Sequence, residues 1–358
     1  MLYFYAKYIY GPNWAFTKEV PSVSIIIPAY NEERHIEKCL ESLLAQDYQD
    51  IEILIIDNGS KDNTPKIVER YVERFRDKVR LLRMGRNLGP GGGRNLGATN
   101  ASGEILVFVD ADMVFPPDYI SKLVRPIQHG KAQLTTHSTE YVANINNPWV
   151  KVQGQTIRSI EKGDSRVLRA IEKRLFTQQG GFNPSLHYHD DRTFFYKTGL
   201  KATVIEEAYC YHNNPDTAKE IFRRNYLIGR TLLAVMHREH GAKGLLYATA
   251  TALVRLVDLL ALPLVVAWLA LYFTTPTLKI LILAPLLIFI ASTLKMRIIK
   301  AETLTERLAL RLLYTPTYRI VRAAGLLAGV LASLLFGLKV TSKYQDKDSH
   351  GKTLSFNG

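Results

Sequence analysis

Cysteine is scarce in this chain, and its scarcity excludes two classes of small protein. Only Cys39 and Cys210 occur among 358 residues, without CxxC or Cys/His ligand spacing, so neither a disulfide framework nor a zinc site is predicted. We expect both to be buried thiols. Acidic residues are also in deficit, since 33 Asp+Glu stand against 46 Lys+Arg, a net charge of +13. The apolar excess lies after residue 244, which predicts a chain in two parts.

The N-terminal segment 1–20 lacks the features of a secretory signal. Met1 to Phe16 has no basic start, no uninterrupted apolar core and no small-residue cleavage site. Seven of these sixteen residues are Tyr, Phe or Trp, which collect at membrane interfaces. The segment is predicted either to contact a membrane surface or to pack on the domain that follows.

From Val23 onward, short runs of β-branched residues alternate with helical stretches. The predicted strands are Ser22 to Pro28, Ile51 to Ser60, Val79 to Arg83 and Glu104 to Asp112. The predicted helices are Glu32 to Gln46, Thr64 to Phe75 and Gly93 to Asn100. This alternation predicts an α/β domain with a mostly parallel sheet covered on both faces. Ligands of such sheets bind beyond the carboxyl ends of the strands.

Polar and acidic residues fall at those strand ends. Pro28 to Glu32, Asp57 to Ser60, and Asp110 to Asp112 each follow a predicted strand and should converge on one crevice. In extended chain, Asp110 and Asp112 project to one side and can share a divalent cation that bridges a diphosphate. An acidic surface turn is the alternative for this pair, and a helix cap or turn is the alternative for any single Asp.

A glycine-rich segment follows the third predicted strand. Gly89 to Asn95 could cradle phosphate with backbone N–H groups at a helix start, with Arg94 adding positive charge. The segment lacks both the GK[ST] end of a P-loop and the spacing of GxGxxG. An ATPase or a dehydrogenase is therefore disfavoured.

Together these motifs resemble those of the family 2 glycosyltransferases, which have the GT-A fold. The resemblance runs from about Val23 to Arg230 and rests on the order and spacing of six short motifs. They are PAYNE (28–32), DNGSKDNT (57–64), RNLGPGGGRNLG (86–97), VDADM (109–113), GGFNPSLHYHDD (180–191) and FRRNYLIGR (222–230).

The resemblance implies roles for individual residues. Asp57 would bind the base or ribose, and the aspartates at 110 and 112 would hold a divalent metal ion, Mg²⁺ or Mn²⁺, against the diphosphate. The implied nucleotide-sugar-binding residues are Pro28, Ala29, Tyr30, Glu32, Asp57, Arg94, Asp110, Ala111 and Asp112. Asp191 takes the position of the general base. Its distance from Gly199 is shorter than in many members, so Asp190 stays open as the alternative.

The C-terminal part reads as a transmembrane domain, 244–340. About three spans are predicted, at 245–273, 278–294 and 320–338, with an amphipathic surface helix near 302–316 and a polar tail at 341–358. Arg255 and Asp258 share a helical face and are expected to pair, with a lipid-phosphate contact of Arg255 as the alternative. The excess of basic residues from Lys295 to Arg322 predicts a cytoplasmic loop, which puts the catalytic domain, 21–215, in the cytoplasm of a multi-pass membrane protein and the tail outside.

A basic, aromatic helix at 216–243 joins the two parts. Its position just before a predicted span favours an interfacial helix over a nucleic-acid-binding face. The residues expected to meet the acceptor are Arg223, Arg224 and Tyr226.

The resemblance thus implies an inverting glycosyltransferase that moves sugar from a nucleotide donor to a membrane lipid-linked acceptor. GDP-mannose is preferred as donor and a UDP-sugar is the alternative. The expected acceptor is polyprenyl or dolichyl phosphate or a lipid-linked oligosaccharide, as in the synthesis of N-glycan precursors. A processive polysaccharide synthase is a second hypothesis for the function, although the segment Arg223 to Tyr226 only loosely resembles the QxxRW motif of such synthases. A non-catalytic scaffold subunit is the third.

Overall fold

A computed structural model describes most of the chain. The described residues are 21–85, 87–154, 157–158, 165–183, 190–270, 287, 289–291, 293–296, 298, 301–336, 345–347 and 353–355. The aromatic N-terminal segment, most of the second predicted span and the segment 184–189 therefore lie outside the described residues.

The predicted catalytic half, residues 21–215, is built on one mixed sheet. Its strands are β1 Val23–Ala29, β2 Ile51–Asp57, β3 Val79–Arg83, β4 Ile105–Phe108, β5 Met113–Val114, β6 Leu134–Val142, β7 Ile157–Arg158, β8 Ala170–Glu172 and β9 Thr203–His212. They run in the order β3-β2-β1-β4-β8-β6-β9-β5, with β7 paired to β6. β1 to β4 are mutually parallel, whereas β8 is antiparallel to both β4 and β6. A short hairpin of β10 (Gln345–Lys347) and β11 (Thr353–Ser355) lies in the tail.

Helices cover both faces of the sheet and continue into the C-terminal part. They are α1 Ile36–Leu44, α2 Thr64–Arg74, α3 Gly89–Asn100, α4 Tyr119–Gln128, α5 Pro148–Lys151, α6 Lys173–Gln178, α7 Asp190–Thr198, α8 Ala218–Ala270, α9 Leu304–Ala309 and α10 Thr315–Phe336. The prediction of an α/β domain with a mostly parallel sheet is confirmed.

The continuous apolar character of β1 follows from burial on both faces. Ile25 and Ile27 pack with Leu40 of α1 on one side, while Ile26 packs with Phe108 and the α6 and α7 aromatics on the other. Cys39 and Cys210 are buried free thiols, as predicted.

Helix α3 begins four residues earlier than predicted. Gly89 has a φ of 74°, a left-handed conformation that suits glycine, and the glycine run that follows forms the first turn of the helix. Further along, a Cβ at Gly97 would overlap the side chain of Ile26, so glycine lets α3 approach β1 closely. The expected phosphate-binding segment therefore lies at a helix start, as predicted, and only the first residue of the helix differs.

Helix α8 consists of two helical segments that meet at Gly241, where φ is 57° and ψ is −139°. This kink lies close to the predicted boundary between the interfacial helix and the first span. The boundary itself stays a prediction.

The predicted amphipathic helix and third span are continuous, which corrects the expectation of two separate elements. Helix α9 passes through a π-helical turn, Leu310–Tyr314, directly into α10. Pro316 has no N–H for the helical ladder, and the wide turn accommodates its ring. From Leu304 onward the basic stretch expected as a cytoplasmic loop is therefore helical.

Only one helix among the described residues, Leu304–Leu335, is long and apolar enough to cross a membrane. A core helix of a soluble protein can meet the same criteria. The three-span arrangement is not confirmed, and it stays a proposal.

A buried ion cluster ties the C-terminal helices together. Asp258 is completely buried, Arg255 Nη1 lies 2.8 Å from its Oδ2, and Arg319 pairs with its Oδ1. Arg319 also donates to the Phe289 carbonyl at 2.7 Å. The predicted pairing of Arg255 with Asp258 is confirmed.

Glycines bring α8 and α10 into backbone contact. A Cβ at Gly325 or Gly329 of α10 would overlap the carbonyl oxygens of Phe222 and Tyr226, and one at Gly229 of α8 would overlap that of Leu326. Gly325 and Gly329, one turn apart on α10, therefore form a row of small residues that allows the close packing.

We expect Gly329→Ala to destabilise the protein by about 1–3 kcal/mol, since the added methyl forces the two helices apart. Gly85→Ala is the matched control, because no described atom lies within 4 Å of its Cβ position and its φ is not positive. The thermal unfolding midpoint of the purified protein tests the difference. Equal midpoints for the two variants would contradict the close packing.

Candidate active site

The turns after β1 and β2 are joined at the carboxyl edge of the sheet. Ala29 and Asp57 are register partners, and the Asn58 N–H donates to the Ala29 carbonyl at 2.8 Å. Asn31, with a φ of 59°, donates its N–H to Ser60 Oγ at 2.9 Å. The expectation that these strand ends converge is confirmed.

Asp57 and Asn58 line this edge and are both nearly buried. Asp57 Oδ1 accepts the Ser60 N–H at 3.1 Å, so the carboxylate also shapes its own turn. Asn58 Nδ2 donates to the Gly89 carbonyl at 3.3 Å, whereas its buried Oδ1 has no hydrogen-bond partner among the described residues. The predicted binding of the base or ribose by Asp57 stays a prediction.

The two aspartates of the acidic motif lie in a turn and not in extended chain. Strand β4 ends at Phe108, and the motif lies in a turn in which the Met113 N–H donates to the Asp110 carbonyl at 3.2 Å. The expectation of extended backbone at this motif is therefore wrong, whereas the predicted sharing of a divalent ion by the two carboxylates is untested.

Asp110 is held by two arginines. Its Oδ1 pairs with Arg94 Nη2, and its Oδ2 lies 3.4 Å from Arg169 Nη1. Burial opposes the charge on Asp110, but the two guanidinium groups outweigh it and lower the pKa of Asp110. Arg94, expected at the phosphates, is buried and lies against this carboxylate instead, so direct binding of Arg94 to the donor stays a prediction.

Asp112 faces a histidine that the sequence analysis missed. His212, the last residue of β9, places Nε2 3.1 Å from Asp112 Oδ2. Its Nδ1 lies 2.9 Å from Glu140 Oε2. The negative charge of Asp112 also acts on Glu32. Burial is the main cause that raises the pKa of Glu32, and the charge of Asp112 raises that pKa further, whereas the hydrogen bond from His35 lowers it.

The pair formed by Asp112 and His212 fits a divalent ion. One carboxylate oxygen and one imidazole nitrogen lie side by side at the ligand-binding edge, and this donor set suits Mn²⁺ or a similar transition metal. Both oxygens of Asp110 lie against arginines. The predicted metal roles of Asp110 and Asp112 are untested.

The entrance to α8 lies beside the predicted nucleotide pocket. The Arg223 guanidinium stacks over the Tyr30 ring, 4.8 Å from its centroid. Arg34 pairs with Asp216 and Glu220 at 3.0 Å each. The predicted acceptor residues Arg223, Arg224 and Tyr226 therefore belong to the helix that meets the donor edge, although their role is untested.

The predicted base residues lie at the start of α7. Asp190 and Asp191 are its first two residues, and their side chains fall outside the described part of the structure. The preceding GGF segment is anchored on α3, because Asn95 exchanges two hydrogen bonds of 2.9 Å with the Phe182 backbone. The predicted role of Asp191, or of Asp190, as the base stays a prediction.

Comparison with known proteins defines the class. The family described as "Glycosyl transferase family 2" matches residues 24–195. Glycosyltransferase GlyG of Streptococcus pneumoniae is 31% identical over 207 residues, which are 52% of this chain and 68% of that protein. Glycosyltransferase AglE of Haloferax volcanii is 33% identical over 127 residues, 35% of this chain and 41% of that protein.

The fold agrees with this class. Mannosyltransferase PcManGT from Pyrobaculum calidifontis, solved in complex with GDP-Man and Mn²⁺, aligns with a TM-score of 0.50 and 19% identity over 88% of each chain. The catalytic half is thus a GT-A-like domain. The chain belongs to glycosyl transferase family 2, and the prediction of a glycosyltransferase is confirmed at the level of the family. Matches to three further curated relatives span only 30–35% of the length of those proteins.

Proposed function

We propose that this protein is an inverting glycosyltransferase that moves sugar from a nucleotide-diphosphate donor to a lipid-linked acceptor at a membrane. The gathering of Asp57, Asp110 and Asp112 at the carboxyl edge of the parallel strands carries the proposal. Family membership supports it. Asp57 and Asn58 would bind the nucleoside, and Asp112 with His212 would hold a divalent ion next to the diphosphate.

The transfer is a single displacement at the anomeric carbon. The acceptor oxygen forms the new bond to this carbon while the bond to the diphosphate oxygen breaks, and the nucleoside diphosphate leaves with the electron pair. When bound, the ion acts as a Lewis acid that offsets the charge on this leaving group. The Asp191 carboxylate would take the proton of a hydroxyl acceptor. Attack opposite the leaving group inverts the anomeric centre.

The exposed apolar surface of the C-terminal helices supports a membrane acceptor. Leucines along α9 and the turn after it stand in solvent, with 71% of Leu304 and 74% of Leu312 exposed. Leu331 and Leu334 near the end of α10, and Leu246 and Tyr247 on α8, are also more than half exposed. Patches of this kind mark surfaces that bind lipid or protein. With a membrane against these helices, the catalytic half would lie on the cytoplasmic side, as the basic residues indicate.

A contact between the two halves supports delivery of a lipid acceptor to the donor edge. Lys151 pairs with Glu306, and Trp149 packs edge-to-face on Tyr314 with ring centroids 5.5 Å apart. Gln153, in the same loop, donates to the Pro215 carbonyl at 2.7 Å, beside the entrance to α8. The exposed leucine helix is thereby fixed relative to the active site.

GDP-mannose is our proposed donor, and a UDP-sugar is the alternative. PcManGT was solved with GDP-Man and Mn²⁺, but its likeness to this chain concerns the fold alone. The acidic edge suits either nucleotide, so the donor has to be measured.

Purified protein supplied with radiolabelled GDP-mannose or UDP-sugars should transfer label to polyprenyl or dolichyl phosphate, or to a lipid-linked oligosaccharide, in vesicles. EDTA should lower the rate by at least about 100-fold, since loss of the Lewis acid costs several kcal/mol, and Mn²⁺ should restore it. Vesicles without the acceptor lipid are the control. Label in a long water-soluble polymer would favour a processive synthase, and no donor turnover would favour a scaffold subunit.

A further inference from the structure

A buried carboxylate that the proposed chemistry does not use lies directly behind the candidate metal site. Glu140, on β6, is 7% exposed. Its Oε1 lies 3.1 Å from both His137 Nε2 and Arg169 Nη2, and its Oε2 lies 2.9 Å from His212 Nδ1. Glu140 is therefore enclosed by one arginine and two histidines, whose nitrogen atoms can donate hydrogen bonds to both of its carboxylate oxygens.

The state of His137 fixes the direction of this network. Burial lowers the pKa of His137 against the hydrogen bond to Glu140, so the ring is neutral and carries one N–H. Tyr119 Oη lies 2.8 Å from His137 Nδ1, and its hydroxyl can donate to that nitrogen. His137 Nε2 then carries the hydrogen and donates to Glu140 Oε1. Oε2 of Glu140 accepts from His212.

The same carboxylate reaches both aspartates of the acidic motif. His212 links Glu140 to Asp112, because its Nε2 lies 3.1 Å from Asp112 Oδ2. Arg169 links Glu140 to Asp110, because its Nη1 lies 3.4 Å from Asp110 Oδ2. A metal-bound histidine nearly always donates its second N–H to a carboxylate or carbonyl group, which fixes the ring and its tautomer. Glu140 occupies this position.

We propose that Glu140 is a positioning residue, which holds the Nδ1–H of His212 so that Nε2 turns toward a divalent ion shared with Asp112. The proposal rests on the proposed function, because the ion belongs to the donor site. Glu140 itself contacts neither the ion nor the nucleotide sugar. Its effect passes through the orientation of the His212 ring.

The alternative for this cluster is a separate buried metal site. Ligand atoms of His137, Glu140 and Cys210 lie within 4.8 Å of one another. Both ring nitrogens of His137 and both carboxylate oxygens of Glu140 already have hydrogen-bond partners, however. An ion there would have to displace those partners, so the cluster is better explained as support for His212.

The test measures how much Mn²⁺ strengthens nucleotide binding. Calorimetry gives the Kd of GDP, and separately of UDP, with and without Mn²⁺, and the ratio of the two Kd values is the metal-dependent gain. We expect Glu140→Gln to reduce this gain by about 10- to 100-fold, while the Kd without metal stays unchanged. The glutamine side chain keeps the volume but loses the charged acceptor. Glu140→Asp, which keeps the charge for Arg169, is the second variant if Glu140→Gln fails to fold, and it should show a smaller loss.

Two comparisons separate positioning from general damage. Glu52→Gln removes another carboxylate that is hydrogen-bonded within the sheet, with 13% of its side chain exposed, and should leave the gain unchanged. In a His212→Asn background, Glu140→Gln should cause no further loss, because its target is already gone. An unchanged gain in both Glu140 variants, or a full additional loss in the His212→Asn background, would overturn the positioning role. If wild type shows no gain with either nucleotide, the metal in the proposed function fails first, and this inference fails with it.

Discussion

Asp112→Asn is expected to lower the turnover of sugar transfer by about 100- to 1000-fold, because the ion it would hold contributes several kcal/mol to stabilising the leaving group. The amide keeps the shape of the side chain but cannot supply the negative oxygen that faces His212 Nε2 at 3.1 Å. Asp112 lies in a partly exposed turn and not in the apolar core, so the fold should survive the change. Turnover under saturating donor and Mn²⁺, together with the thermal unfolding midpoint, tests both expectations.

Asp118→Asn is the matched control for this variant. Asp118 follows β5 in the chain, and 48% of its side chain is exposed. It pairs with Lys122 at 2.6 Å. Its replacement should leave turnover unchanged. Full activity of Asp112→Asn, or of wild type in EDTA, would remove the metal from the mechanism.

Local sequence patterns predict the sheet, because strands that are buried on both faces appear in the sequence as continuous runs of apolar residues. The apolar runs of β1 and β2 require two covered faces, and the polar residues after them must then meet at one edge. Errors occur where a local rule competes with packing. The sequence pattern predicts that α3 starts at Gly93, yet the helix begins at Gly89, and the buried Gly91 and Gly92 are helical in spite of the low helix propensity of glycine.

Long-range polar contacts could not be predicted in this way. His212 lies 100 residues from Asp112 and 72 from Glu140, and nothing local distinguishes it from another polar residue at the end of a strand. Only the pairing of β9 with both β5 and β6 brings these groups together. The same holds for Arg169, which meets Asp110 because β8 pairs with β4. A single sequence shows which residues can carry the chemistry, but not which of them support one another.

The C-terminal helices show the same limit. Arg255 and Asp258 are three residues apart on one helix, so their pairing was predictable. Arg319 completes the cluster from another helix, and spacing alone cannot indicate this. With Asp258 bound by two arginines, the cluster carries a net positive charge. Pairing with opposite charge offsets part of the cost of burying the Asp258 carboxylate.

The acceptor class can be resolved through Asp191. A sugar hydroxyl must lose its proton during attack, and a positioned general base contributes on the order of 100- to 10,000-fold. A phosphate acceptor is already anionic and needs no base. If the acceptor is a hydroxyl of a lipid-linked sugar, we expect Asp191→Asn to lower turnover by about that factor with little change in donor affinity, since the amide keeps the shape and loses the basicity.

Asp190→Asn is the matched control, because the two residues are neighbours at the start of α7. Under saturating donor it should be the milder change. Substantial activity of Asp191→Asn with polyprenyl or dolichyl phosphate would instead assign Asp191 to positioning an anionic acceptor. If Asp190→Asn is inactive while Asp191→Asn turns over nearly normally, the register of the motif is wrong by one residue, and the base is Asp190. The two variants, each measured with a phosphate and a hydroxyl acceptor, therefore separate the identity of the base from the identity of the acceptor.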